Sequence, residues 1–530
     1  MGGRVSVSQG ATPQEIIDFF LEPASYEHDV DAVEHRQTHV SHLFFAGDYV
    51  YKVKKPVDMG FLDFSTLEKR RAAAIAELEL NRRISPDVYL DLAAVHRDEH
   101  GRLSFAAPAL IEEVAVVMRR LPESQRLSRL IDEQRVQPRT MHDLGRLVAD
   151  FHARAETSPE IARFGSPEVV RHNWNENFEQ TEPFIGRTLE PETWETCRAE
   201  IERFLRVYPD LFDERIANGW IRDCHGDLQT DDIFIDPQTG SARVLDCIEF
   251  NERFRYSDTI ADTAFLSMDL RFRGREDLAA AFLDAYYETS SDEPVPSLLR
   301  FYESYRAYVR GKVRSFVIDQ EGPSPEERAA AVEEARRFLK QSQEDALSLR
   351  PRLVLVAGLM GSGKTRHSDE LGRRAGVRVL HSDVVRKQLA GIDPRDERKV
   401  PFGTGIYSQE WTDRTYRALL FEAERELALG NSIILDASWS KARHRSEAQE
   451  LAAAREALFG VVECIAPSPV LEARLSRPGR QVTDGRIELL DDQRAAYETP
   501  AADEVDVLVK IDTSGDFQAA VTRAHDALFA

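Results

Sequence analysis

The chain has 530 residues, 42% of them hydrophobic and 30% charged, a length that excludes a single domain and a balance suited to large soluble cores. No apolar run reaches the roughly 18–20 residues of a membrane span and residues 1–10 lack a secretion-type apolar stretch, so an integral membrane or secreted protein is not expected. The formal charge of −23 is unevenly placed, with 44 Lys and Arg against 64 Asp and Glu in residues 1–350, and 25 against 28 in residues 351–530. An acidic first part disfavours non-specific nucleic-acid binding.

In chain order, Thr12-Pro13-Gln14-Glu15 opens a helix with a capping box and Pro at its first position. Residues 38–55 alternate as two short strands about Ala46-Gly47-Asp48, a hairpin pattern. Ser65 and Thr66 start a helix running to about Arg83, which Ser85-Pro86 closes. Short strands follow over residues 91–120. From Arg139 to about Ala346 the pattern is mostly helical, interrupted near residues 233–235 and 243–247. Strands first and helices later predict an α+β domain over residues 1–345. Beyond Glu321-Gly322-Pro323-Ser324-Pro325 and a charged helix, apolar strand candidates at 353–357, 377–382, 432–436, 459–465 and 506–511 alternate with helices. That rhythm predicts a parallel, doubly wound α/β domain over residues 351–530. Cys197, Cys224, Cys247 and Cys464 are far apart, which excludes a disulfide framework and a C-x-x-C metal site and fits a cytoplasmic protein.

Gly358-Leu359-Met360-Gly361-Ser362-Gly363-Lys364-Thr365 matches G-x-x-x-x-G-K-[ST], placed between an apolar strand and a helix. Around Gly358, Gly361, Ser362 and Gly363 backbone N–H groups can converge on phosphate oxygens at a helix N-terminus. Lys364 is positioned to reach the β- and γ-phosphates of ATP, and the Thr365 hydroxyl to ligate Mg2+. Asp383 and Asp436 end later strands of this sheet, where ligands bind. Asp436 could hold the metal through water and Asp383 accept a proton from an acceptor hydroxyl, or each could be a helix cap or turn residue. Arg474, Arg477, Arg480 and Arg486 surround Pro478-Gly479, with Arg474 and Arg477 as candidate cations over the transferring phosphoryl group. Together these features resemble the small P-loop kinases: gluconate kinase, chloramphenicol phosphotransferase, zeta toxins and the kinase part of polynucleotide end-healing enzymes.

In the first domain, His225-Gly226-Asp227-Leu228-Gln229-Thr230-Asp231-Asp232 carries H-x-D with a carboxylate five residues after Asp227. Asp246 follows in Val244-Leu245-Asp246-Cys247-Ile248-Glu249-Phe250. With the upstream Tyr51-Lys52-Val53-Lys54-Lys55-Pro56, these segments resemble the aminoglycoside-phosphotransferase-like kinases, in a branch where such a domain is fused to a P-loop kinase. The resemblance implies a protein-kinase-like fold. It makes Asp227 the base, Asp232 and Asp246 metal ligands, and Lys52 the nucleotide lysine paired with Glu77 or Glu79. It also implies a hinge at Val116 to Arg119, a bracing carboxylate at Asp262 and a scaffold role for His225. Asp232 stands where the family has Asn, and Thr38-His39-Val40-Ser41 occupies the phosphate-covering hairpin without its glycines. Lys54 and Lys55 are expected to face solvent or a phosphate. Arg306, Arg310 and Arg314, with Lys312 nearby, mark either an anion-binding face or a solvated one.

The expected function is a bifunctional, ATP- and Mg2+-dependent kinase phosphorylating a hydroxyl of a small molecule such as a sugar, sugar acid or aminoglycoside-like compound. Two other readings stay open: a regulatory or toxin-like protein in which one domain senses nucleotide, and a polynucleotide 5′-kinase in the second domain.

Overall fold

From residue 33 onward a six-stranded antiparallel sheet forms, and its central strands Tyr49–Lys54 and Ile111–Arg119 bury side chains on both faces. Its strands are β1 (Val33–Gln37), β2 (Ser41–Ala46), β3 (Tyr49–Lys54), β4 (Tyr89–Arg97), β5 (Leu103–Ser104) and β6 (Ile111–Arg119), in the order β1-β2-β3-β6-β4-β5. The computed structural model describes residues 11–529 except 59, 61, 99, 107–109, 321, 394–404 and 477–489. One sheet face, with Phe44, Tyr51 and Val53, packs on Ile16 and Phe20 of the helix Pro13–Leu21, whose Thr12–Glu15 capping box forms as the sequence predicts. The other face, with Val50, Val116 and Met118, packs on Ala74 and Leu78 of the helix Leu67–Arg82. Glu77 lies on the same buried stripe of that helix, at 1% exposure, so packing alone carries a carboxylate under the sheet.

The remainder of this unit is helical around two short antiparallel ribbons, β7 (Ile221–Asp223) with β10 (Tyr256–Asp258) and β8 (Ile233–Ile235) with β9 (Ala242–Val244). Met141, Leu144 and Val148 of the helix Pro138–Arg154 pack with Leu278 and Phe282 of the helix Glu276–Thr289 in its main core. The loops leaving β7 and β9 carry the 225–232 and 246–250 segments, and the buried helix Thr259–Phe272 holds the first of them. This is the expected α+β kinase-like fold.

A second unit holds five parallel strands: β11 (Arg352–Ala357), β12 (Arg378–His381), β13 (Ile433–Asp436), β14 (Leu458–Ile465) and β15 (Val507–Asp512), ordered β12-β13-β11-β14-β15. Leu353, Leu355 and Leu435 face the helices Gln409–Ala428 and Ala442–Ala454, while Val354, Val356 and Ile434 face Lys364–Ala375 and Phe517–Phe529. Apolar residues at both parities of a strand are what burial on two faces requires. The fold is α/β, of the P-loop type. By contacts, the first unit comprises the chain to Pro183 with Phe212–Pro294 and Tyr302–Gln341. The second comprises Phe184–Leu211, Val295–Phe301 and Ser342 onward.

Candidate active sites

The loop after β7 is fixed by its own backbone. Asp262 accepts the N–H groups of His225 (2.7 Å) and Gly226 (2.8 Å), and Asp269 accepts Thr230 N–H at 2.9 Å. The two carboxylates stand seven residues apart, on one face of the helix Thr259–Phe272. Arg306 closes the arrangement, donating to Gly226 O (3.0 Å) and Ala261 O (3.1 Å). Gly226 has φ +87°, and a Cβ there would lie 2.8 Å from Phe254 O, so the position excludes any side chain. His225 is buried, and burial pushes its imidazole down to about 4, which keeps it neutral as a packing residue.

Asp227 leaves this loop half-buried and lines a cavity of about 810 Å3 together with Asp232 and Asp246. Burial pushes the Asp227 carboxyl up to about 6, against the pull of Arg310 and Arg306, and Gln229 Nε2 donates to it at 3.0 Å. That value suits a proton acceptor at neutral pH. Asp232 is raised well above the usual range, first by burial and then by Asp246 and Asp227. Asp246 holds a left-handed backbone (φ +61°), which is strained for a non-glycine residue. Its N–H donates to the Tyr89 hydroxyl at 3.1 Å. Three carboxylates converging on one cavity repel one another, and their hard oxygen donors fit Mg2+, which would relieve that repulsion.

Beneath the carboxylates runs a chain of alternating charges. Lys52 Nζ lies 2.6 Å from Asp246 Oδ1 and 2.7 Å from Glu77 Oε1. Lys54 Nζ lies 2.6 Å from Glu77 Oε2 and also meets Glu249. Burial would lower both ammonium groups, but Asp246 and Glu77 outweigh it at Lys52, as Glu77 and Glu249 do at Lys54, and both are raised. Burial would likewise raise Glu77, yet Lys52 and Lys54 hold it below the usual carboxylate range. Glu77 rather than Glu79 is therefore the partner of Lys52. Lys54, expected to face solvent or a phosphate, is only 3% exposed and so does not face solvent; it pairs with Glu77 and Glu249 beside Lys52. Thr38, His39, Val40 and Ser41 line the same cavity from the β1–β2 turn. Met118 and Arg119 of the expected hinge line the cavity edge, together with Leu121 just beyond it.

In the second unit the glycine-rich loop follows β11. Gly358 has φ +137°, and a Cβ on it would stand 2.4 Å from Cys464 O. Gly361 and Gly363 also have positive φ, and Ser362 is buried between them. Lys364 Nζ folds onto Leu359 O at 3.0 Å, and Thr365 donates to Asp436 Oδ2 at 2.7 Å. The same oxygen faces His381 Nδ1 at 2.8 Å, and His381 Nε2 faces Asp369 at 3.0 Å. Burial would lower the His381 pKa, but Asp436 and Asp369 raise it. Hydroxyl and carboxylate oxygens at Thr365 and Asp436 suit Mg2+ beside the phosphate loop. Asp383 lies in the first turn of the helix Ser382–Leu389, after β12. Arg386, one turn on, is buried and donates to Ile406 O at 2.9 Å and Thr412 at 3.3 Å. Arg474 donates to Gly361 O at 3.2 Å and Thr513 O at 2.6 Å, which places it against the loop. Arg477, Arg480 and Arg486 lie outside the described residues.

The folds and sites define a kinase that joins a phosphotransferase domain to a P-loop domain. Residues 67–302 match the phosphotransferase enzyme family and residues 353–500 match an AAA domain. The chain belongs to the same family as the uncharacterized protein Rv2004c of Mycobacterium tuberculosis, with 32% identity over 497 residues, 94% of this chain and 95% of that one. The uncharacterized protein Mb2027c of Mycobacterium bovis matches with the same identity and coverage. Among solved structures, the chain is similar to a sugar kinase from Janibacter sp. HTCC2649, with 22% identity, 33% of this chain, 94% of that chain and a TM-score of 0.26. It is also similar to a choline/ethanolamine kinase family protein from Mesorhizobium loti, with 12% identity, 63% of this chain, 99% of that chain and a TM-score of 0.38. The protein is an ATP-dependent kinase with small-molecule phosphate acceptors. Among the described residues no helix is long and apolar enough to cross a membrane.

Proposed function

We propose that the chain holds two phosphotransfer sites, one in residues 1–345 and one in residues 351–530, each moving the γ-phosphoryl group of ATP to a hydroxyl of a small molecule. The observation that carries the first site is the convergence of Asp227, Asp232, Asp246 and Lys52 on one cavity. There Asp227 takes the proton of the acceptor hydroxyl as its oxygen bonds to the γ-phosphorus, and the bond from phosphorus to the departing ADP oxygen breaks. Lys52, positioned by Glu77, binds phosphate oxygens, and Asp232 and Asp246 would hold Mg2+. In the second site the N–H groups of residues 358–365 and Lys364 bind the phosphates, and Thr365 and Asp436 would hold Mg2+. Asp383 receives the acceptor proton, and Arg474 and Arg477 supply positive charge. When bound, Mg2+ neutralises phosphate charge. Four buried free cysteines fit a cytoplasmic setting.

Asp227→Ala and Lys364→Ala, alone and together, test this reading through ADP release. Each single variant is expected to retain one activity and the double variant none; unchanged turnover in all three would sink it. Asp232 at the family's Asn position motivates a second reading, in which the first site binds ATP and controls the second. It predicts that the Lys364→Ala protein binds ATP without turning it over.

A further inference from the structure

The first cleft has a wall that the nucleotide chemistry does not use. Asn173, Glu176, Asn177 and Gln180 line the cavity from the helix Pro167–Thr181, at positions that share one helical face. Opposite in sequence, Lys312 of the helix Pro296–Phe316 donates to Asn177 Oδ1 at 2.6 Å and Gln180 Oε1 at 2.8 Å. Both partners are neutral amides. The nearby carboxylate of Glu176 is engaged by Arg253, at 2.5 Å. Burial pushes the Lys312 ammonium down to about 8, despite Glu176. An enclosed ammonium with neutral partners and a remaining N–H gains most from an incoming anion.

The acidic residues of the cavity point the same way. Glu123 is paired with Arg126 (2.9 Å), Glu176 with Arg253, Asp246 with Lys52 (2.6 Å), and Glu249 with Lys54. Asp227 and Asp232 remain, and they are assigned to the reaction. A polycationic acceptor would therefore meet no free carboxylate beyond the reacting centre, although residues 1–350 carry a net charge of −20. Phe250, Phe254 and Tyr305 also line the cavity and offer flat apolar surface to the C–H face of a ring. The amides of Asn173, Asn177 and Gln180 can meet hydroxyls from either direction, donating or accepting.

We propose that the acceptor of the first site is an anionic polyol, a sugar acid or a sugar phosphate, whose anionic group binds Lys312. The proposal rests on the reading of this cleft as a phosphotransfer site. A hydroxyl oxygen of the polyol bonds to the γ-phosphorus, ADP leaves with the bond electrons, and the hydroxyl proton passes to Asp227.

The test uses the full chain carrying Lys364→Ala, saturated with AMP-PNP and Mg2+, and calorimetric titration of D-gluconate, glucose 6-phosphate, glucose and kanamycin. Gluconate or glucose 6-phosphate is expected to bind at least about tenfold more tightly than glucose and kanamycin, and whichever binds distinguishes carboxylate from phosphate. Lys312→Met should weaken that anion on the order of 10- to 100-fold, and Lys312→Arg should keep most of the affinity. AMP-PNP affinity should stay unchanged in both, which also reports that they fold. The proposal is overturned if glucose or kanamycin binds as tightly, if Lys312→Met leaves anion binding unchanged, or if neither anion binds to the AMP-PNP-loaded protein. Absence of AMP-PNP binding that Lys52→Met can remove would instead overturn the reading of the cleft, and the acceptor proposal with it.

Discussion

The two proposed sites would take the same triphosphate by opposite means. The second uses eight consecutive residues, whose backbone N–H groups would form the cradle, with glycines at three positive-φ positions, at one of which, Gly358, a Cβ would collide. The first uses side chains brought together from far along the chain: Lys52 meets Asp246, 194 residues away, and Lys54 meets Glu249, 195 residues away. A backbone cradle is sensitive to added bulk and indifferent to most side chains. A charge chain is sensitive to the loss of any link, because each buried charge is held by its neighbours.

Substitutions can break this comparison, beginning with the largest effect. Asp227→Asn should lower first-site turnover by about 10^2–10^4-fold with ATP affinity kept, measured as ADP release in the Lys364→Ala background. Lys54→Met strips Glu77 and Glu249 of a buried partner and should cost about 3–5 kcal/mol of stability in denaturant titration. An unchanged transition would mean the chain is not coupled as drawn. Gly358→Ala should cost about 1–3 kcal/mol through strain and weaken nucleotide binding in the second unit alone, as seen by AMP-PNP titration of each site. The smallest effect is pH. Asp227 must be ionised to accept a proton and its pKa is about 6, so first-site turnover should rise about tenfold per unit up to pH 6 and then level. A rate that falls as pH rises through 6 would contradict the assignment.

The same contrast explains what could be read from the sequence. The central strands Arg352–Ala357 and Ile433–Asp436 were legible because strands buried on both faces are apolar along most of their length, and the phosphate loop because its chemistry is local. The kinase-like site was legible where local motifs mark it, at 51–56, 225–232 and 246–250, and the resemblance those motifs carry added Glu77 (with Glu79 as the alternative) and Asp262. The solvent-facing alternative for Lys54 fails, since nothing near it in sequence shows that Glu77 and Glu249 enclose it. Arg306 likewise looked like one cation in a helical series, but it holds the carbonyls of Gly226 and Ala261. The Asp262 and Asp269 spacing did carry a signal, two carboxylates on one face of an otherwise apolar helix. Arg314, the third residue of that arginine series, pairs with Glu334 at 2.5 Å and has no part in the loop.

The central claim is that the chain has two independent nucleotide sites, one built on side-chain charge and one on backbone. Calorimetric titration of the full-length protein with AMP-PNP and Mg2+ tests it most directly. The account predicts two sites, with Lys52→Met removing one and Lys364→Ala the other. A single site in the unsubstituted protein, or both sites surviving Lys52→Met, would contradict it.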